Sequence, residues 1–307
     1  MVYRFRFIKV TGQDTNHKCS ASEPMRFRGV TSLSEKDFVV ILLCMTMRNL
    51  LLTIAYDGTG FHGWQRLPGE RTVCGTVEEA LARVLGREVK IDGCSRTDAG
   101  VHALGQTATL LLEDHGIPTE RIRKALTDCL ITQKREGVGE IEILEVKEMP
   151  EGFHARYSAK GKEYLYKIRN ASHPDIFKRT RYYQIAQPLD LDDMRRAAGH
   201  ITGTHDFACF QTAGGTPRET TVRTIWALDI LQDGEYITVS IKGNGFLYNM
   251  VRIIVGTLVE VGLGKKDADE LTDIIESKDR GRAGHTAPPQ GLYLKEVFYD
   301  EPETKLG

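Results

Sequence analysis

Alternation of apolar and polar positions organises this 307-residue chain from Arg48 onward. Leu50, Leu52, Ile54 and Tyr56 recur at every second position and stop at Asp57-Gly58, which predicts a strand running into a turn. Thr76, with Glu79 three residues on, predicts a capped helix whose stripe is Val77, Ala80, Leu81, Val84 and Leu85 and whose end is Gly86. A short apolar run at 89–91, and the alternating Val101, Ala103, Thr107, Thr109 and Leu111, predict two more strands. Residues 119–130 carry helical spacing (Ile122, Ala125, Leu126, Leu130), a polar loop fills 132–140, and a strand follows at 141–146.

The second half repeats this alphabet. A strand is predicted at 164–168, then a helix capped by Asp190 with Leu191, Met194, Ala198 and Ile201 on one face. Residues 225–231 and 236–241 flank Asp233-Gly234, a hairpin signal. An apolar helix at 246–263 follows, then one capped by Asp267 with Glu270, and a last strand through Leu292, Leu294 and Val297. Strands and helices interleaved with hairpins predict an α+β fold: two similar halves with mostly antiparallel sheets and a cleft between them. The expected division is 1–46, 47–154 and 155–307. Residues 1–46 show no sustained period, and their basic start lacks the apolar stretch of a signal peptide. With Met45 and Met47 just ahead of the first strand, they read as a start placed too early or as a poorly ordered extension.

Composition narrows the function classes. Formal net charge is −1, from 41 Lys and Arg against 42 Asp and Glu, so a polyanion would need a local basic stripe. The six cysteines form no C-x-x-C pair, which predicts reduced thiols in a cytoplasmic protein. No stretch approaches the roughly 20 apolar residues of a membrane helix. Neither a phosphate-binding G-x-x-x-x-G-K-[ST] loop nor a G-x-G-x-x-G turn is present, so neither nucleotide cofactor is implied. His62 and Trp64 read as packing or turn residues, and Cys94 and Cys209 as small core residues.

Three segments could carry chemistry. Between two predicted strands, residues 93–103 present Arg96 and Asp98 on a tight turn; taken alone, this reads first as a turn that Asp98 caps. Residues 154–183 interleave Arg156, Lys160, Lys162, Lys167, Arg169, Lys178, Arg179 and Arg181 with five tyrosines, a mixture that suits RNA and equally a solvated strand with core tyrosines. Arg252 lies inside the most apolar predicted helix, where a guanidinium is costly unless it meets an anion. Asp98 is the candidate partner, and an adjacent cation would lower its pKa and keep it ionised, as a carboxylate nucleophile requires.

These segments resemble the TruA-type tRNA pseudouridine synthases. The likeness runs from Arg48 to Tyr299 through five ordered blocks: Tyr56 to Gln65, Gly93 to Ala103, Gly152 to Ala159 with Tyr164-Leu165-Tyr166, Asn249 to Gly256, and Thr286-Ala287-Pro288 with Gly291 to Leu294. The resemblance implies a pseudouridine synthase fold with a basic cleft, acting on uridines 38, 39 and 40 of the tRNA anticodon stem-loop. It implies a homodimer without cofactor or metal. By the same resemblance Asp98 is the nucleophile, Arg252 pairs with it, Tyr164 stacks on the target base and assists proton handling, and Arg96 helps hold the flipped nucleotide. The segment 127–137 departs from the family's Asn…Leu-Pro-x-Asp-Ile passage. Two other readings compete: a non-catalytic RNA-binding module on the same scaffold, and a carboxylate-dependent nucleoside or sugar hydrolase. The latter would want a second acidic group that the matched blocks lack.

Overall fold

A computed structural model describes residues 47–113, 117–132, 139–214 and 219–300, together with the backbone of three short strands, β1 (Arg4–Ile8), β2 (Asp14–Lys18) and β3 (Leu43–Met45). The reading of 1–46 as a disordered extension or early start otherwise lies outside the described residues, as do positions 133–137 of the divergent segment.

The chain then runs β4 (Met47–Tyr56), α1 (Val73–Leu85), β5 (Ile91–Gly93), β6 (His102–Glu113), α2 (Thr119–Thr132), β7 (Ile141–Met149), β8 (Gly161–Asn170) and β9 (Tyr183–Ile185). It continues with α3 (Leu191–Ile201), β10 (Gly203–Asp206), β11 (Val222–Asp233), β12 (Tyr236–Gly243), α4 (Met250–Gly262), α5 (Leu271–Ser277) and β13 (Leu292–Phe298). Ten strands form one mixed sheet in the order β10-β11-β12-β8-β13-β6-β4-β7, with β5 beside β6 and β9 beside β8. Pairing is antiparallel except at β6–β13 and β8–β9. The fold is α+β, as the interleaved pattern predicts.

The two halves meet along the last strand. β13 pairs with β8 on one side and with β6 on the other, Tyr293 opposite His102. Its side chains divide between two cores. Leu294 and Val297 join one built from β4, α1, β6, α2 and β7, and Leu292 joins the other, built around α3, α4, α5, β8, β9, β11 and β12. Burying apolar area on two fronts from one strand welds both cores to a single sheet.

Several local expectations shift. α1 starts at Val73, because Thr72 supplies the cap, its Oγ1 accepting from Gly75 N at 3.3 Å; Thr76 lies inside the first turn. The β11–β12 turn is centred on Gly234-Glu235, since Asp233 pairs with Tyr236. Asp267 closes a turn by accepting from Asp269 N (3.0 Å) and makes no cap for α5, which begins four residues later.

The predicted inward face of β6 changes phase partway. Ile54 faces Gln106 while Tyr56 faces Ala103, so β6 carries one residue more than its partner, a bulge at Leu104-Gly105. Beyond it, Ala108, Leu110 and Leu112 enter the core and Leu111 is 55% exposed. Thr107 and Thr109 are buried on the other face, bonded to the Tyr299 hydroxyl and Ala155 N.

Candidate active site

The turn carrying Arg96 and Asp98 connects β5 to β6 and lies at the seam between the two halves. The block Tyr56 to Gln65 clamps it. Trp64 N donates to Thr97 O (3.0 Å), Gly100 N donates to Phe61 O, and the Tyr56 hydroxyl bonds Thr97 Oγ1 at 2.7 Å. Gly63 makes this approach possible: its φ is +86°, and a Cβ there would lie 2.6 Å from Thr97 O. Trp64 is buried as expected, whereas His62 is exposed and paired with Glu70.

A buttress stands behind the loop. His102 is buried, stacks on Tyr293 at 4.6 Å, and donates from Nε2 to Thr180 O at 3.0 Å. Its Nδ1 faces Asp57 Oδ1 at 2.9 Å and Gly58 N at 3.2 Å. Burial pushes the imidazole pKa down, against the opposing pull of Asp57. Sequence spacing alone gives no sign of this contact, which joins the first turn, the Asp98 loop and the 180s segment.

Arg252 arrives from α4. Apart from Arg252 and Glu260, every residue of this helix is buried, so the guanidinium stands against an apolar wall. Its Nη1 donates to Asp98 Oδ2 (3.1 Å) and to Asn249 Oδ1 (3.0 Å), and its Nε donates to Ala287 O (2.7 Å). The Thr286-Ala287-Pro288 block thereby aims the arginine. Gly256 lets that block close on the helix, because a Cβ would meet His285 O at 1.8 Å. The helix begins later than 246, with Asn249 in the left-handed region (φ 61°), and Phe246 to Tyr248 form a cleft wall instead. An asparagine before an apolar run is a helix-start signal that the sequence reading passed over.

Asp98 is 30% exposed and Arg252 15%. Burial raises the Asp98 pKa, and the Arg252 charge and hydrogen bond offset only part of that rise. The expectation of a lowered pKa is therefore corrected. The arginine acts in the stated direction, but desolvation outweighs it.

Tyr164 and Tyr166 share one face of β8. The Tyr164 hydroxyl lies 3.0 Å from Ser95 Oγ, and its ring meets Phe246 edge-on at 5.1 Å. Burial pushes its phenol well above the ordinary range, so it carries its proton at neutral pH. Tyr166 is fully buried and donates to Pro288 O at 2.7 Å.

Asp98, Arg252, Tyr164 and Arg96 all line one cleft of about 810 Å³. Among the described residues, its charged walls are Arg96, Arg156, Lys162 and Arg252 against the single carboxylate of Asp98. A chain of net charge −1 thus presents a local basic cleft. The basic stretch 154–183 divides its labour. Arg156 and Lys162 face the cleft, whereas Arg169 pairs with Glu235, Arg181 with Asp57, and Lys167 lies over the Tyr293 ring. Cys94 and Cys209 are buried, as expected of core residues. Among the described residues, no group of three or more His, Cys, Asp or Glu is placed to hold a metal ion, and no helix is long and apolar enough to cross a membrane.

Comparison with known proteins agrees with this geometry. A family model described as "tRNA pseudouridine synthase" matches residues 52–158 and 197–300, segments that contain the Asp98 loop and Arg252 respectively. The protein named tRNA pseudouridine synthase A in Acetivibrio thermocellus is 48% identical over 253 residues, covering 82% of this chain and all of that protein. The proteins of the same name in Ruminiclostridium cellulolyticum and Thermoanaerobacter sp. are each 45% identical, with the same coverage. With a basic cleft, a paired carboxylate in its lining and these matches, the chain belongs to the tRNA pseudouridine synthase family.

Proposed function

We propose that the protein isomerises uridine to pseudouridine at positions 38, 39 and 40 of the tRNA anticodon stem-loop, with Asp98 as nucleophile. The observation that carries this reading is the Asp98–Arg252 pair in the lining of a cleft that Arg96, Arg156 and Lys162 also line. A carboxylate in that setting is partly desolvated, which makes it reactive, yet held in place and ionisable by one guanidinium. The family to which the chain belongs and the names of its relatives support the substrate class.

In this reading the target uridine leaves its stack and enters the cleft, at a cost of a few kcal/mol that backbone contacts offset. Arg96 holds the flipped nucleotide, and Arg156 and Lys162 meet phosphates. The N1–C1′ bond breaks, the uracil turns while held, and a C5–C1′ bond forms; the C5 proton leaves and N1 gains one. Tyr164 stacks on the base, and its protonated hydroxyl, next to Ser95, serves proton handling. Residues 47–154 form the half that brings Asp98, and residues 155–307 the half that brings Arg252 and Tyr164. The working form is a cytoplasmic homodimer.

The test is tritium release from C5-labelled uridine in an unmodified tRNA transcript, with the product mapped by carbodiimide-blocked primer extension. Wild type releases tritium at positions 38 to 40 and Asp98→Asn does not. Tight tRNA binding by the wild type with no release would instead make the protein an RNA-binding module.

A further inference from the structure

A second cavity, of about 230 Å³, adjoins the main cleft, and the two share Gln65, Arg96 and Arg156 as walls. Trp64, His154 and Tyr157 add aromatic faces to it. The turn that presents Tyr157 is fastened at several points. Ser158 N donates to His154 O (2.9 Å), His154 N to Ser158 Oγ (3.0 Å), and Arg156 N to His154 Nδ1 (3.1 Å). The buried Ala155 anchors the turn to the core, donating to Thr109 Oγ1 and accepting from the Tyr299 hydroxyl. On this fixed mount Tyr157 is 78% exposed. Its ring lies 4.5 Å from that of His154, and the Arg156 guanidinium stands 5.7 Å from its centroid.

A large aromatic ring held outward by a rigid turn gains nothing for folding and costs apolar exposure. What it offers is a stacking face that loses little entropy on binding. Among the described residues, Arg156 pairs with no carboxylate, which leaves its charge available to an incoming anion. The cavity's charged lining among the described residues is Arg66, Arg96 and Arg156 against one carboxylate, Asp92, and Arg66 is already paired with Glu78. An aromatic platform, the guanidiniums of Arg96 and Arg156 and room for one planar base, directly beside a cleft for another, match two successive nucleotides of one strand.

We propose that this side cavity is a binding subsite for the nucleotide next to the target uridine, its base stacked on Tyr157 and the connecting phosphate held by Arg156 and Arg96. The proposal rests on the reading of the main cleft given above. The subsite grips the strand while the target base is detached, so its contribution is to substrate binding and not to the bond-breaking step.

The experiment uses a stem-loop RNA with one reactive uridine, either intact or carrying an abasic nucleotide on its 5′ or its 3′ side. Tritium release is measured for the full chain and for Tyr157→Ala and Tyr157→Phe. Tyr157→Ala raises KM about tenfold, the size of one base stacked on one aromatic ring, with kcat within about twofold, while Tyr157→Phe behaves as wild type. One of the abasic RNAs weakens wild type by the same factor and weakens Tyr157→Ala no further. An unchanged KM in Tyr157→Ala, or losses that multiply between variant and abasic RNA, overturns the subsite alone. A wild type that releases no tritium from the intact RNA overturns the parent reading instead.

Discussion

Arg252 Nη1 lies 3.1 Å from Asp98 Oδ2, although 154 positions separate the two residues in the chain. The contact spans the seam between the halves, and three further acceptors or donors fix it: Asn249 Oδ1, Ala287 O, and the backbone bond from Ala287 N to Arg252 O. Because Arg252 opposes a rise in pKa that burial imposes on Asp98, the arginine sets how much of the carboxylate is ionised at a given pH.

Removing that charge should therefore show in a pH profile. Arg252→Gln lets the Asp98 pKa climb further, so the acid limb of kcat/KM moves to higher pH. We expect activity to fall about a hundredfold near neutrality, the usual scale for deleting one preorganised electrostatic partner, and to recover in part as the pH rises. Arg252→Lys should be only partly active, because an ammonium cannot reach Asp98 and Ala287 O with the same fixed fork. A loss independent of pH would show that Arg252 matters for shape and not for charge.

Stability should move the opposite way from activity in Asp98→Asn. A carboxyl whose pKa is higher in the folded than in the unfolded chain contributes stability that is complete below the unfolded value, about 4, and lost as the pH rises through the folded value. At neutral pH the ionised, partly buried Asp98 is thus a burden, and a neutral isostere relieves it. Thermal melts should give Asp98→Asn the higher Tm at pH 7, with the gap closing toward pH 4. A variant less stable than wild type at pH 7 would contradict the balance inferred between burial and Arg252.

Tyr164→Phe keeps the ring, its edge contact with Phe246 and the stacking face, and deletes only the hydroxyl beside Ser95. RNA affinity should hold and kcat should fall by roughly 10²-fold or more, the range for loss of a positioned proton carrier. A fall in affinity with kcat intact would place the hydroxyl in binding instead.

His102→Ala should destabilise the fold by about 3 kcal/mol, combining a core cavity with buried hydrogen bonds lost at Thr180 O and Gly58 N. Denaturant unfolding measures it directly. Because His102 braces the turn at Asp57-Gly58 and the strand that follows the Asp98 loop, kcat should also drop while the protein is still folded. Full activity in a destabilised variant would mean that the loop holds its shape without the buttress.

Much of this molecule is written locally. Period-two and helical spacing place β4, α2, β8, α3, β11, β12 and β13 close to where they lie, since each is set by which side chains can be buried on one face. The Arg252–Asp98 pairing is also legible, because a guanidinium in an apolar helix demands an anion and the turn at 93–103 offers one. What the sequence alone could not supply depends on neighbours distant in the chain. The bulge in β6 shows itself only against β4, and it reverses which residues beyond it face the core. The weld of both halves through β13 requires β6 and β8 as partners. The direction of the Asp98 pKa turns on how much water the assembled cleft removes, a three-dimensional quantity that overrides the effect of one adjacent charge.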